Sequence, residues 1–546
     1  MSTRPPVDPF RLLQAGDADG ALRAASAIAA TSPGNARAHV AAGIALRMLG
    51  RPVESRRALE QAARLAPQDY APPYELGILL ESVQQWDDAL AQFERSAALR
   101  PGFAPPRFAA GLVAYRLRDW ERASAHFSAV LAIDPRNLEA LVNLAQSTAE
   151  LGRHDEAQAF LERAIEAEPQ SASARYAMGW LLARGGRREE AAARYEEALA
   201  RDPRHFEALR ALGRFRVSRG DYSRAAELYV RAAAVAPNDP DLPLYIAQCL
   251  LLLGRWSEAW PWYARRDSRM EFEASERRAG REYRVPSLEE LHGREVWVIG
   301  EQGLGDILFF LRFVPRLRAH AVRVGFAGDR RLHSILARTG AFDRLAETAP
   351  VEATHVLVAD LPVALAVGED VFAESLRAAP DAQREASVRE RMSAAGPRPW
   401  IAVTWRSGTP RERSAQALSK FIEPRELFAA LAGSNGTVFA FQRDASAEDL
   451  AAASEALGRP VHDLSDESED VEDALAVVAL ADRHVGVSST NMHLAAMAGR
   501  VAEVLVPFPP EWRSRREGES PWFPGFRTLR QSSGGDWSQA LAALTG

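Results

Sequence analysis

Glu295-Val296-Trp297-Val298-Ile299-Gly300-Glu301-Gln302-Gly303-Leu304-Gly305-Asp306-Ile307-Leu308-Phe309-Phe310 stands just past the middle of a 546-residue chain. An apolar run, a glycine turn and a second apolar run read as strand, turn and helix. The glycines let the backbone turn tightly and approach a ligand closely, and Asp306 falls in the first turn of the helix. The dinucleotide fingerprint is incomplete, because Leu308 stands where the third glycine or alanine would be, so NAD is not indicated. The residues before this stretch read as a repeat array, and those after it as α/β.

Downstream, Val322–Ala327 and His355–Ala359 are strand-like, with a helix predicted between them over Arg330–Thr339. A polar, helix-like segment, Asp381–Met392, leads to a break at Ser393–Pro399. A second set of apolar runs comes next: Trp400–Trp405, Thr437–Gln442, His484–Val487 and Val501–Val506. Helices are predicted over Glu423–Leu431, Ala447–Leu457, Val471–Ala481 and Asn491–Ala498. Strand–helix alternation implies parallel sheets. Two successive Rossmann-like halves, 293–395 and 396–546, predict a ligand cleft between them.

Upstream, prolines recur at 33, 67, 101, 135, 169, 203 and 237, a strict period of 34. Ten residues after each comes a small one (Gly43, Gly77, Gly111, Ala145, Gly179, Gly213, Ala247) and twelve later another (Ser55, Ala89, Ala123, Ala157, Ala191, Ala225, Ala259). Four further on the residue is large: Leu59, Phe93, Phe127, Leu161, Tyr195, Tyr229, Tyr263. This is the tetratricopeptide signature, predicting an α-solenoid over residues 1–266 with Pro33 closing an N-terminal helical cap. Small residues let paired helices approach, and the large one is expected to fill the gap between pairs. The first helices should line a peptide- or protein-binding groove, with Tyr74, Phe108, Val142, Asn143 and Tyr176 either on that face or packed between helices. Trp256, Trp260 and Trp262 are expected to cap the array against the next domain, through a charge-rich connector at 267–292.

The formal charge of −6 argues against a general nucleic-acid binder. One cysteine, Cys249, leaves no internal disulfide and fits a reducing compartment. No apolar run reaches membrane-spanning length and the N-terminus has no apolar signal region, so a cytoplasmic location is expected. No H-E-x-x-H and no Cys/His cluster is present, and the Asp-x-Asp runs, Asp17–Asp19 and Asp239–Asp241, fall in loops of the array. Among 67 basic residues there is a single lysine, Lys420.

Four stretches, Gly300–Asp306, Asp360-Leu361-Pro362, Trp405-Arg406-Ser407-Gly408 and Val485–Ala496, resemble the GT-B glycosyltransferases. The similarity is greatest to the heptosyltransferase-like family 9 group, whose tetratricopeptide-fused bacterial members are similar nearly end to end. In architecture the chain also resembles O-GlcNAc transferases and flagellin-modifying transferases. The resemblance implies an inverting, metal-independent transfer of sugar from a nucleotide-sugar donor to a Ser or Thr of a protein that the repeats recruit, flagellin being one such acceptor. The nucleotide sugar is a substrate, and no cofactor is implied. It assigns Asp306 as the base that takes the acceptor proton. Glu301, in the same turn, is a second carboxylate able to share that task. Gly303 and Gly305 would admit the donor.

Ser488, Ser489, Thr490, Asn491 and His493 open a helix after a buried strand, where hydroxyls and free N–H groups make an anion site. The resemblance places the donor phosphate there. His493 either contacts phosphate, assists protonation or satisfies the turn. Arg406 offers a fork to phosphate with Ser407 beside it. Lys420 is a further cation for the leaving group, with Arg411 and Arg413 competing for the role. Asp473 either faces the donor sugar or lies on a solvated helix face. The proline loop Pro507–Trp512 either borders the donor or is a surface crossover. Two other readings stand beside this one: a non-catalytic scaffold with a degenerate transferase domain, and a transferase acting on a glycolipid. The donor base (UDP, GDP, ADP or CMP) is open.

Overall fold

The computed structural model describes residues 7–369, 372–407, 420–514 and 518–545, and the chain forms two compact units, 1–211 and 212–546.

The first unit is a succession of antiparallel helix pairs. A short one, Pro9–Gln14 with Ala18–Thr31, makes the expected N-terminal cap a pair in its own right. Next come Ala36–Met48 with Pro52–Leu65, Ala71–Ser82 with Trp86–Leu99, and Ala104–Arg116 with Trp120–Ile133. Leu138–Glu150 with His154–Ala167 and Ala172–Arg184 with Arg188–Arg201 complete the run. Each periodic proline directly follows the C-cap of a second helix, as at Ser32, Ala66 and Arg100, where the helix cannot continue past it. Asn35, Asp119, Asn137 and Ser171 cap N-termini by accepting a backbone N–H three residues on.

The small–large pattern works differently from expectation. A Cβ on Gly43, Gly77, Gly111 or Gly179 would lie 2.5–2.7 Å from the side chain of Leu59, Phe93, Phe127 or Tyr195. The large residue therefore fills the space its own partner helix leaves by having glycine, inside the pair. The buried Ser55 hydroxyl donates to the Gly43 carbonyl at 2.7 Å across the same contact.

The turn inside each pair needs a residue in the left-handed region. Gly16, Gly50, Gly152 and Gly186 supply it with φ of 69–78°, but Gln84 and Arg118, in the same phase, adopt φ of 61°. A side chain there is strained, so Gln84→Gly and Arg118→Gly are each expected to raise stability by about 0.5–1 kcal/mol. Chemical denaturation of the intact chain checks this, and a fall in midpoint would contradict it.

In the second unit Gly213 meets Tyr229 in the same way, at 2.6 Å from the would-be Cβ. Leu242–Leu252 with Trp256–Tyr263 is the last pair, and a separate helix, Asp267–Arg278, occupies part of the expected connector. Trp256 packs on Trp522 (4.7 Å between centroids) and Phe372, and Trp260 packs on Phe310 and Trp512. The tryptophan cluster thus joins this pair to the α/β part.

That part contains two wholly parallel sheets. In the first, β1 (Glu295–Ile299), β2 (Arg323–Ala327), β3 (Arg344–Ala346) and β4 (Thr354–Leu357) take the order β3-β2-β1-β4. In the second, β5 (Trp400–Thr404), β6 (Thr437–Ala440), β7 (Val461–Asp463), β8 (Arg483–Val487), β9 (Glu503–Val506) and β10 (Arg527–Arg530) take the order β10-β9-β8-β5-β6-β7. Both orders reverse direction: between β1 and β4, and between β5 and β8. Such reversals open a crevice beyond the strands' carboxyl ends, where doubly wound α/β proteins hold ligands. The five buried residues of β5 sit centrally, and Trp405 just beyond is wholly buried against Phe428. No helix among the described residues is long and apolar enough to cross a membrane.

Candidate functional site

The carboxyl ends of β1 and β8 lead into two helix starts that touch. Gly303 is the N-cap of Leu304–Phe310, and Ser489 that of Thr490–Met497. A Cβ on Gly305 would lie 3.3 Å from Cδ2 of His493 and 3.4 Å from Oγ1 of Thr490, so this glycine permits the close approach. Aromatic rings surround the contact. Phe309 packs on His493, Trp512 and Trp522, and His493 on Phe523 at 5.4 Å.

A chain of charges runs across it. Asp306 pairs with Arg513. Nη1 of Arg513 lies 3.1 Å from Oε1 of Glu511, and Nζ of Lys420 lies 2.9 Å from the same oxygen. The Ser488 hydroxyl donates to the other Glu511 oxygen. Burial works to raise the pKa of Glu511, but Lys420 and Arg513 overcome it and hold the carboxyl down at about 2. The same burial, with Arg513 and Arg312 nearby, pushes His493 well below the ordinary histidine range, so its imidazole is neutral. Arg312 is 1% exposed and has no carboxylate partner among the described residues. It donates instead to the carbonyls of Phe309 (2.8 Å) and Trp522 (2.7 Å) and to Ser375, with Phe309 stacked at 4.0 Å. Burial and the neighbouring Arg513 lower it to about 9. Ser489 Oγ, His493 Nδ1 and Arg513 Nε are buried without a hydrogen-bond partner among the described residues.

Glu301 takes no part in this chain of charges. One of its oxygens accepts from Nε and Nη2 of Arg266, whose Nη1 reaches Asp360 at 2.6 Å. Tyr283 donates to Asp360 at 2.9 Å and accepts the Leu357 N–H, and Arg269 stands 3.7 Å away. The side chains of Arg266 and Glu301 are 6% exposed and that of Asp360 0%. Burial raises the Glu301 pKa against the pull of Arg266. Glu301 and Asp360 therefore clamp the glycine turn to the start of the helix Asp267–Arg278, and Glu301 is not free to share the work of a base.

The other predicted positions divide. Gly303 has open space about its α-carbon. Asn491 donates to Oγ1 of Thr404 (3.1 Å), tying the β8 turn to the end of β5. The Ser407 N–H donates to the Lys420 carbonyl at 3.0 Å. Arg406 does not join the charged chain, because its guanidinium donates to the carbonyls of Arg443 and Asp444. Asp473 pairs with Arg384 at 2.9 Å. Arg411, Arg413 and Gly408 lie outside the described residues. The sequence reading missed Arg312, Glu511 as a charge, and Arg513. Arg312 had one signal, a charge inside the apolar run 307–314. In the sequence, Glu511 and Trp512 read only as the end of a proline loop.

In the array, Tyr74, Phe108 and Tyr176 pack on Phe93, Phe127 and Tyr195 at 5.6–5.9 Å. Each stands three residues before a glycine of the pair contact, so it shares that glycine's face and turns toward the partner helix. Asn143 bonds its own helix, at the Glu139 carbonyl. A separate groove of about 370 Å³ is lined by Arg56, Glu60, Arg64, Asp88, Gln92 and Arg95 of second helices.

Comparison with known proteins places the repeats firmly. One tetratricopeptide repeat model matches residues 12–76 and 114–181, and another matches 176–240 and 216–268. Protein FlbA of Caulobacter vibrioides is 24% identical over 329 residues, 55% of this chain and 53% of that protein. The chain thus spans about half the length of the curated relative it matches. Among solved structures, a thermophilic tetratricopeptide protein of Thermus thermophilus is 26% identical, covering 33% of this chain and 99% of that one with a TM-score of 0.30. A tetratricopeptide repeat protein from Parabacteroides merdae is 16% identical, covering 44% and 96% with a TM-score of 0.38. The N-terminal half, to about residue 270, is built of tetratricopeptide repeats, and an α/β part with two parallel sheets succeeds it.

Proposed function

We propose that the α/β part is a GT-B glycosyltransferase that moves a sugar from a nucleotide-sugar donor to a serine or threonine of a protein, with the repeats as the recruiting surface. One observation carries this reading. The helix starts that follow β1 and β8, strands at the reversal points of the two sheets, touch, and their contact holds a carboxylate, Asp306, beside buried cations and the hydroxyl-rich start of a helix. In the reaction the acceptor hydroxyl oxygen bonds to the anomeric carbon as the bond from that carbon to the donor phosphate breaks. Asp306 takes the hydroxyl proton, and the nucleotide leaves with the bonding electron pair. Lys420, Arg513 and the Ser488–His493 turn stabilise the charge that develops on it. Flagellin is the acceptor suggested by the likeness to flagellin-modifying transferases, and the cytoplasm is the proposed place of action.

A second reading, a binding scaffold without turnover, has its own support. Asp306 and the two cations are engaged with one another and with Glu511, as a purely structural ion network would be. The experiment is to offer the purified chain UDP-, GDP-, ADP- and CMP-linked sugars with a co-expressed flagellin, reading nucleotide release and intact mass. A sugar-sized mass increment with release of one nucleotide is expected. Failure to bind any of these donors would favour the scaffold.

A further inference from the structure

Three groups suited to an oxyanion converge on the Glu511 carboxylate: the Ser488 hydroxyl, the Lys420 ammonium and the Arg513 guanidinium. They sit at the carboxyl end of β8, where Thr490–Met497 begins without a side-chain cap. Free N–H groups at such a start attract anions. Ser489 Oγ and His493 Nδ1 are buried there without partners among the described residues, and His493 is 8% exposed. The cradle therefore offers more polar groups than the carboxylate that occupies it satisfies. The same Arg513 also neutralises Asp306.

We propose that Glu511 is an internal stand-in for the diphosphate of a nucleotide ligand: it fills the Ser488–Lys420–Arg513 cradle at rest and is displaced when the diphosphate binds. The inference rests on the reading of this site as a nucleotide-sugar site and adds its regulation. A carboxylate and a phosphate present similar planes of acceptor oxygens to a guanidinium, and the phosphate carries more charge to the same donors. Arg513 already reaches Glu511 through Nη1 and Asp306 through Nη2, so a diphosphate in place of Glu511 would be bound beside Asp306.

The test is calorimetric titration of the full chain with UDP, GDP, ADP and inorganic pyrophosphate, for wild type, Glu511→Gln, Glu511→Ser and Arg513→Gln. Both Glu511 variants are expected to bind a diphosphate at least tenfold more tightly than wild type, and Arg513→Gln at least tenfold more weakly. Equal or weaker binding by the Glu511 variants, with wild type binding, overturns this inference and leaves the transferase reading in place. No binding by any protein overturns both. Loss of folding in Glu511→Gln also overturns it, because a carboxylate displaced at each turnover is dispensable to the fold.

Discussion

Replacing Arg266 by alanine is expected to destabilise the second unit by about 3–5 kcal/mol, the usual penalty for removing one partner of a buried ion pair. The guanidinium bridges Glu301 and Asp360, and all three side chains are almost wholly out of solvent. Without it two carboxylates face each other in the interior, with Tyr283 bonded to Asp360 and Arg269 3.7 Å from it. The loss should depend on pH in a set direction. Burial already raises the Glu301 pKa, and Arg266 is the chief force lowering it. In the variant that pKa rises further. A carboxyl whose folded pKa exceeds its unfolded value stabilises the fold only while protonated, so the deficit against wild type should grow as pH rises from 5 to 8. Urea denaturation at several pH values measures this. Arg266→Lys should recover only part, since an ammonium cannot fork between two carboxylates. A loss under 1 kcal/mol, or one unchanged with pH, would show that the clamp does not bear on stability.

Asp306→Asn is expected to lower sugar transfer by about 10²- to 10⁴-fold, the range for removing a general base. Donor affinity should change little, because Lys420, Ser488 and the helix start are untouched. The measurement is kcat with a saturating donor beside the dissociation constant of its nucleotide. Full activity in a folded Asp306→Asn chain would remove Asp306 from the base's role. Glu301 would not inherit it, since one of its oxygens is held by Arg266 and the other is buried. A replacement would have to come from the acceptor side, since burial and the neighbouring arginines make His493 reluctant to take a proton.

Much of the fold could be read along the chain. The 34-residue proline period located the helix pairs, because a proline after a C-cap acts locally. The helix predicted over Ala447–Leu457 was found with those bounds, opened by a Ser446 capping box and closed by Gly458 in the left-handed conformation. Strands β3, β7 and β10 went unread. They are three or four residues long and carry Arg344, His462, Asp463, Arg527 and Arg530, since β7 and β10 are the edges of one sheet and β3 an edge of the other. The groove aromatics were placed on the right helices but on an uncertain face. Only the position of the paired helix shows that Tyr74, Phe108 and Tyr176 turn inward.

The sequence by itself determined what depends on near neighbours: the repeat period, the helix stops and caps, the glycine turn after β1, the hydroxyl turn after β8 and the parallel α/β character. These arise from backbone freedom and side-chain periodicity over a few residues. Only the tertiary structure decided the electrostatics. Asp306 and Arg513 are 207 positions apart, and Lys420 and Glu511 are 91 apart. Charges attract over distances in space that chain position does not record, and burial strengthens that attraction. The glycine turn thus places Asp306, while the fold sets Arg513 beside it, gives Glu301 to Arg266 and puts Glu511 where an anion would bind.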